Sequence, residues 1–341
     1  MLFASRLAQD FELLHFQVGS EGRKTKESCF RTVARLVSSP FVLALLLFRY
    51  RPSIVHLNTS LDQKAYWRDL TYLVVARLAG CRVINQIHGG ALPQTLFPRS
   101  RFLTWILRKA LMASQVVVVL SKAEAEAYRL FDNRINVQLV PNAIEDSGIT
   151  SAARLSNREA PLRLVYVGRL IVSKGLLDAV EALHLLKDRG HAFTFRIAGS
   201  GPDEQSLRAA VAKAGLEQEI TLLGPVFGEA KNRLWLESDI FIFPTYHLEG
   251  LPYALLESMA AGCVPVTCAV AAIPDVMQDR IHGLFVAAKD IAALADALSE
   301  LDGERETISR MSAAGRARIR EYYTTERLAE DFRRLYKDVQ R

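Results

Sequence analysis

A chain of 341 residues, half of them hydrophobic and 23% charged, is too long for one small core and too apolar for disorder, so two folded domains of ordinary size are expected. Its cysteines, Cys29, Cys81, Cys263 and Cys268, make no CxxC pair and no zinc-ligand spacing, which argues against a disulfide scaffold or zinc module and for thiols in a reducing compartment. The net charge of +6 is uneven: residues 1–150 hold 19 Lys+Arg against 11 Asp+Glu, and residues 151–341 hold 24 against 26.

In chain order, residues 1–10 lack the basic start and apolar core of a signal peptide. Short β-branched or apolar runs at 11–18, 54–57, 83–87, 116–120 and 136–140 read as strands, with helical patterns at 64–79 and 102–113 between them. The longest apolar run, 41–48, is far short of the ~20 residues that span a bilayer. It reads either as a helix packed in the core or as a surface contact flanked by Arg35, Arg49 and Arg51. A cytoplasmic protein is expected, and the basic first half suits a phosphorylated or membrane-borne anionic partner. Nucleic acid is disfavoured, because no helix is densely basic and no basic–aromatic interleaving occurs.

Residues 150–160, rich in Ser, Ala and Arg, read as a linker. A second series of strands follows at 163–167, 194–198, 220–223, 240–243, 264–267 and 283–286, alternating with helices near 175–189, 203–214, 229–237, 253–261 and 290–301. The alternation predicts α/β architecture with two Rossmann-like domains facing across a cleft, ligands binding beyond the C-terminal strand ends. The boundaries expected are 1–150, 160–322 and a terminal helix, 323–341, packing back on the first domain.

Four features sit at strand ends in the second half. Gly168-Arg169 is followed by Ser173-Lys174-Gly175 at a strand-to-helix turn, where two cations five residues apart suit a diphosphate or are simply solvated. The Gly-rich turn at 199–202 (GSGP) has a sufficient backbone explanation. The run 240–250 leads into Glu249 and Glu257, two carboxylates with seven residues between them. Gly250, Leu251 and Pro252 read as loop and Tyr253 onward as helix, so Glu249 precedes the helix and Glu257 lies about one turn inside it. Unpaired first-turn amides and the dipole make that N-terminus a phosphate site, while helix capping and a solvated side chain remain the simpler alternative.

Taken in order, GR…SKG, GSGP, FPTYHLEGLPYALLE and AGCVPV resemble the second domain of glycosyltransferase family 4, enzymes of the GT-B fold that use nucleotide-activated sugars. The resemblance is strongest over 162–301 and looser at IHGG (87–90), VVVLS (117–121) and VPNAIE (140–145). It implies a retaining hexosyltransferase-like enzyme without metal or other cofactor, consistent with the absence of Asp-x-Asp. A UDP- or GDP-linked sugar would be the donor, and a glycan or lipid-linked molecule, met near Asn58-Thr59-Ser60 and residues 64–69, the acceptor. It further implies that Arg169 and Lys174 hold the diphosphate and that backbone amides around Gly250, Leu251 and Tyr253 meet the phosphates. Glu257 would accept from the ribose, Glu249 would stand by the transferred sugar, and His88 would face that sugar. Such enzymes serve cell-surface polysaccharide or glycoconjugate synthesis, with peripheral contact at the inner membrane face as a further expectation.

One departure stands against the family pattern. Residues 1–10 read as the tail of the first helix, and no glycine precedes Gly19, so a first strand and Gly-rich loop are not seen. The alternative this raises is a non-catalytic nucleotide-sugar-binding paralogue. An epimerase or phosphorylase on the same fold ranks below it, and an NAD-dependent dehydrogenase is disfavoured because no GxGxxG follows a predicted strand.

Overall fold

The computed structural model describes residues 7–18, 29–145, 160–247 and 250–341. Glu249 and residues 150–159 of the expected linker lie outside these. Two compact units divide the chain: Met1–Pro141 with Leu328–Arg341, and Asn142–Arg327.

The first unit holds α1 (Leu7–Asp10), α2 (Cys29–Tyr50), β1 (Ile54–Leu61), α3 (Gln63–Leu78), β2 (Arg82–Gly90), α4 (Pro93–Leu96), α5 (Arg101–Ala113), β3 (Val116–Val119), α6 (Lys122–Phe131) and β4 (Val137–Leu139). Its four strands are parallel in the order β1-β2-β3-β4. Every residue of β3 is buried, as a parallel strand covered on both faces requires. On one face Val83, Val117 and Val119 pack with Leu43 and Leu47 of α2, Leu73 and Ala76 of α3, and Leu107 and Leu111 of α5. Each such side chain contributes about 1.5–3 kcal/mol by leaving water.

Helix α2 carries Pro40 in its interior, which removes the amide that would bond the Leu36 carbonyl. Ser39 supplies a substitute: its hydroxyl donates to Leu36 O at 3.2 Å and pairs with the Tyr72 hydroxyl at 2.6 Å. One buried side chain thus repairs the helix and ties it to α3.

Residues 11–18 are not the strand that their alternating pattern predicts; they form no ladder. The segment is held by side chains instead, with Phe11 edge-on to Tyr336 at 5.4 Å and Phe16 and Val18 against the core. Period-two alternation marks which residues point inward, but a strand also needs a partner for its backbone.

The second unit contains β5 (Leu162–Val167), a 3-10 turn (Val172–Lys174), α7 (Leu176–Asp188), β6 (Phe193–Ala198), α8 (Glu204–Lys213), β7 (Ile220–Gly224), α9 (Gly228–Leu236), β8 (Ile240–Phe243), α10 (Tyr253–Ala261), β9 (Val264–Thr267), α11 (Ile273–Val276), β10 (Leu284–Phe285), α12 (Ile291–Gly303) and α13 (Arg305–Tyr322). Its six parallel strands run β10-β9-β8-β5-β6-β7. The chain starts in the middle at β5, builds outward through β6 and β7, then crosses to β8 and builds the other way. The order reverses between β5 and β8, and the crevice beyond those two strand ends is where open α/β sheets bind ligands.

The last helix, α14 (Thr325–Gln340), contributes its length from Leu328 onward to the first unit. There its Tyr336 hydroxyl lies 2.6 Å from His56 Nδ1, and Phe332 packs on the same imidazole at 5.0 Å.

Candidate functional site

The loops following β5 and β8 meet at the reversal point. Tyr246 N donates to Ser173 O at 3.0 Å, the Tyr246 hydroxyl to Val172 O at 3.0 Å, and Ser173 Oγ lies 3.1 Å from His247 Nδ1. Gly175 then turns the chain into α7 with φ 73°, and a Cβ there would stand 2.2 Å from Pro244 O. The 3-10 turn that carries Lys174 is therefore fixed against the β8 loop on both its main-chain and side-chain sides.

The β6 loop closes the other flank. Gly168 N donates to Ala198 O and Leu170 N to Ser200 O, both at 3.0 Å, while Asp203 Oδ2 accepts from Val172 N at 2.8 Å. Gly199 approaches so closely, at φ 149°, that a Cβ would lie 1.8 Å from Gly168 O. The GSGP turn thus acts as a backbone clamp on the loop bearing Arg169.

This framework assembles three basic side chains. Lys174 is buried, its ammonium 5.0 Å from the Phe243 ring centre, and burial first and the charge of Arg169 second push its pKa down to about 8. His247 is also shifted down, by burial and then by Lys174 and Arg169. Arg169 is exposed, and its carbonyl accepts from the Tyr166 hydroxyl at 2.8 Å. Burial is the larger cause of both shifts, and the smaller one, the positive charge of Arg169 on Lys174 and of both on His247, shows that the two cations face the same space, where an anion would relieve them. Lys174 and Arg169 are brought together as the sequence suggested. His247 was missed, because a lone histidine before a glutamate carries no spacing signal of its own.

Helix α10 starts at Tyr253 with Pro252 as its cap residue and no side-chain cap, so its first-turn amides and positive dipole end are not neutralised by a side chain of the helix's own start. Leu251 is buried and its carbonyl accepts from Asn142 Nδ2 at 2.9 Å, which anchors the loop ahead of the helix together with Gly250. Glu257 is not a solvated side chain. Lys231 Nζ reaches its Oε1 at 2.7 Å and Trp235 Nε1 reaches its Oε2 at 3.3 Å, both from α9. Each oxygen retains a lone pair for a ligand hydroxyl.

His88 belongs to the first unit, exposed at the end of β2, with Nε2 3.1 Å from Asn58 Oδ1. Since a carbonyl oxygen only accepts, that nitrogen carries the proton. In the same unit, Asp69 is bracketed by Arg68 at 2.6 Å and the Thr59 hydroxyl.

Comparison with known proteins agrees with this organisation. Residues 161–302 match Glycosyl transferases group 1, and residues 3–147 match Glycosyltransferase Family 4. The amylovoran biosynthesis glycosyltransferase AmsK of Erwinia amylovora is 33% identical over 184 residues, 51% of this chain and 45% of that one, so the match spans about half the length of the relative. Among solved structures, sucrose-phosphate synthase from Thermosynechococcus elongatus superposes with TM-score 0.73 at 18% identity, covering 94% of this chain and 82% of the other. Anabaena HepE in complex with UDP-glucose gives 0.71 at 13% identity, covering 92% and 84%. At such identities the structures speak to fold alone, and that fold is GT-B. With both halves matched, the chain belongs to the family 4, group 1 glycosyltransferases.

Proposed function

We propose that the protein transfers a sugar from a nucleoside diphosphate sugar to a glycan or lipid-linked acceptor in polysaccharide synthesis. The observation that carries this reading is the placement of Arg169 and buried Lys174, with His247 beside their loop, where β5 and β8 diverge. Departure of the nucleoside diphosphate builds negative charge on phosphate oxygens, and fixed cations and helix amides stabilise it without reorganising. Arg169 and Lys174 hold the diphosphate, amides around Gly250, Leu251 and Tyr253 meet its oxygens, and Glu257 accepts from the ribose. Glu249 orients the transferred sugar, and His88 keeps the sugar-side role given by the resemblance. Retention at the anomeric carbon and independence of metal belong to this reading. So do a UDP- or GDP-linked donor and work at the cytoplasmic face of a membrane; among the described residues no helix is long and apolar enough to cross one. HepE with bound UDP-glucose and AmsK in amylovoran biosynthesis support the donor class and the pathway class.

Incubation with labelled UDP- and GDP-sugars and candidate acceptors tests the reading. Glu257→Ala is expected to raise the donor KM, and Glu249→Ala chiefly to lower kcat. Thermal protection by nucleotide sugars with no transfer or hydrolysis would select the non-catalytic paralogue, and no protection at all would remove the donor site.

A further inference from the structure

The outer surface of α2, α3 and α5 is unlike that of an ordinary water-facing helical layer. Right-handed crossovers between successive parallel strands put α3 and α5 on one face of the sheet. Helix α2 packs on α3 and α3 on α5, and all three feed the same core. The side of each helix opposite that core therefore faces the same way. On α2 that side shows Phe41, Leu45 and Phe48, spaced i, i+4, i+7 and 65–74% exposed, turned away from buried Leu43 and Leu47. On α3 it shows Trp67, Val74 and Leu78, the last 83% exposed. On α5 Phe102 and Trp105 stack at 6.2 Å, with the Lys109 ammonium 5.9 Å from the indole. An apolar face this wide marks a contact surface.

Charge identifies the occupant. The three helices contain nine Lys and Arg against one carboxylate, Asp69, which is largely buried and held by Arg68; of the nine, Arg108 is paired with Asp132 beyond them at 3.2 Å. The excess of eight equals that of residues 1–150 as a whole, so the basic character of that half resides in these helices. A second copy docked through a twofold axis would set one such cationic patch against another. A bilayer with anionic headgroups answers both properties, taking apolar and aromatic side chains into its interface and basic ones against its phosphates.

We infer that the combined outer face of α2, α3 and α5 is a docking surface for an anionic lipid bilayer, in which the chain lies on the membrane without crossing it. This deepens the lipid-side part of the proposed function and rests on it only for its biological setting. Binding to vesicles needs neither donor nor acceptor, so failure here leaves the transferase reading standing, and failure of transfer leaves this surface standing.

The test is flotation of the full chain with vesicles of phosphatidylcholine alone and of phosphatidylcholine mixed with phosphatidylglycerol. Partition onto the anionic vesicles is expected to exceed that onto neutral ones by about tenfold or more. It should fall as salt rises from about 0.1 M to about 1 M, where screening shortens from ~10 Å to ~3 Å. Fluorescence should shift to the blue through Trp67 and Trp105, since Trp235 is already buried. Phe41→Ser with Leu45→Ser should abolish binding, and Trp105→Ala on the separate helix α5 should weaken it, each with an unchanged unfolding midpoint. Absence of partition onto anionic vesicles overturns the inference, as does undiminished binding by folded Phe41→Ser/Leu45→Ser. A self-associated protein rendered monomeric by the same pair would assign the face to a second copy and also overturn it. Undiminished binding by Trp105→Ala would overturn the participation of α5.

Discussion

The Lys231 ammonium lies 2.7 Å from Glu257 Oε1, so the carboxylate expected to meet a nucleoside hydroxyl is already anchored by a neighbouring helix. Lys231 and Glu257 are 28% and 19% exposed, a partly shielded pair whose worth lies in orientation as much as in attraction. Lys231→Met should weaken nucleoside diphosphate binding by about tenfold, or ~1.4 kcal/mol, with kcat nearly unchanged and Lys231→Arg restoring most of the affinity. Calorimetric titration with UDP and GDP checks this; equal affinity in Lys231→Met would remove the orienting role.

Lys174 supplies a linked pair of expectations. Its folded pKa of about 8 lies below the ordinary 10.5. Between those values the unfolded chain holds more protons, so stability rises with pH across that window and the burden is fully present below pH 8. The cost is on the order of 3 kcal/mol. Lys174→Met should therefore raise the unfolding midpoint of the ligand-free protein while abolishing stabilisation by nucleoside diphosphates. A bound anion favours the charged form, so binding near pH 8 should take up a proton, read from calorimetry in buffers of different ionisation enthalpy. A lower midpoint in Lys174→Met would contradict the argument.

His56 makes the first unit sensitive to acid. Burial lowers its pKa to about 4, against the hydrogen bond that its Nε2 donates to Gln86 Oε1, which raises it, so the neutral ring is the one held between Tyr336 and Gln86. The unfolded state binds more protons between about pH 6.5 and 4, so stability declines as pH falls through that window, by on the order of 3 kcal/mol. Denaturant unfolding as a function of pH should show this slope in the native chain and a flatter one in His56→Gln. Proteolysis within α14 should rise over the same range.

Two left-handed glycines separate conformational strain from collision. Gly175 (φ 73°) would place a Cβ 2.2 Å from Pro244 O, whereas Gly190 (φ 87°) meets nothing within 4 Å. Gly190→Ala should cost about 1 kcal/mol for its backbone alone. Gly175→Ala should cost at least about 3 kcal/mol and also loosen the turn carrying Lys174, lowering donor affinity. Chemical unfolding of both variants, with nucleotide titration of each, decides it.

Much of the second unit was legible in the sequence because its strands are short apolar runs such as IFIF and VPVT, and its ligand loops follow them directly. The pairing of Arg169 with Lys174 was legible for the same reason. The burial of Lys174 was not, since it depends on Phe243 and on a turn fixed by residues some 70 positions later. The hold of Lys231 and Trp235 on Glu257 crosses between helices at a separation that no motif spans. Helix α2 was unreadable as one 22-residue helix because Pro40 forbids it locally, and the repair by Ser39 relies on Tyr72 of another helix. Residues 11–18 were over-read, since alternation records inward and outward faces but not whether a ladder exists.

The division of the chain has a consequence for biogenesis. The first unit takes in Leu328–Arg341, so every residue of the second unit is synthesised before the first can be completed. Until those residues emerge, the His56 face lacks Tyr336 and Phe332, and Phe11 lacks the ring it packs against. The second unit, whose segment is continuous, can assemble as translation proceeds. The N-terminal part must wait with the apolar face that Phe332 and Tyr336 cover left open, so its completion is the last step in the making of the fold.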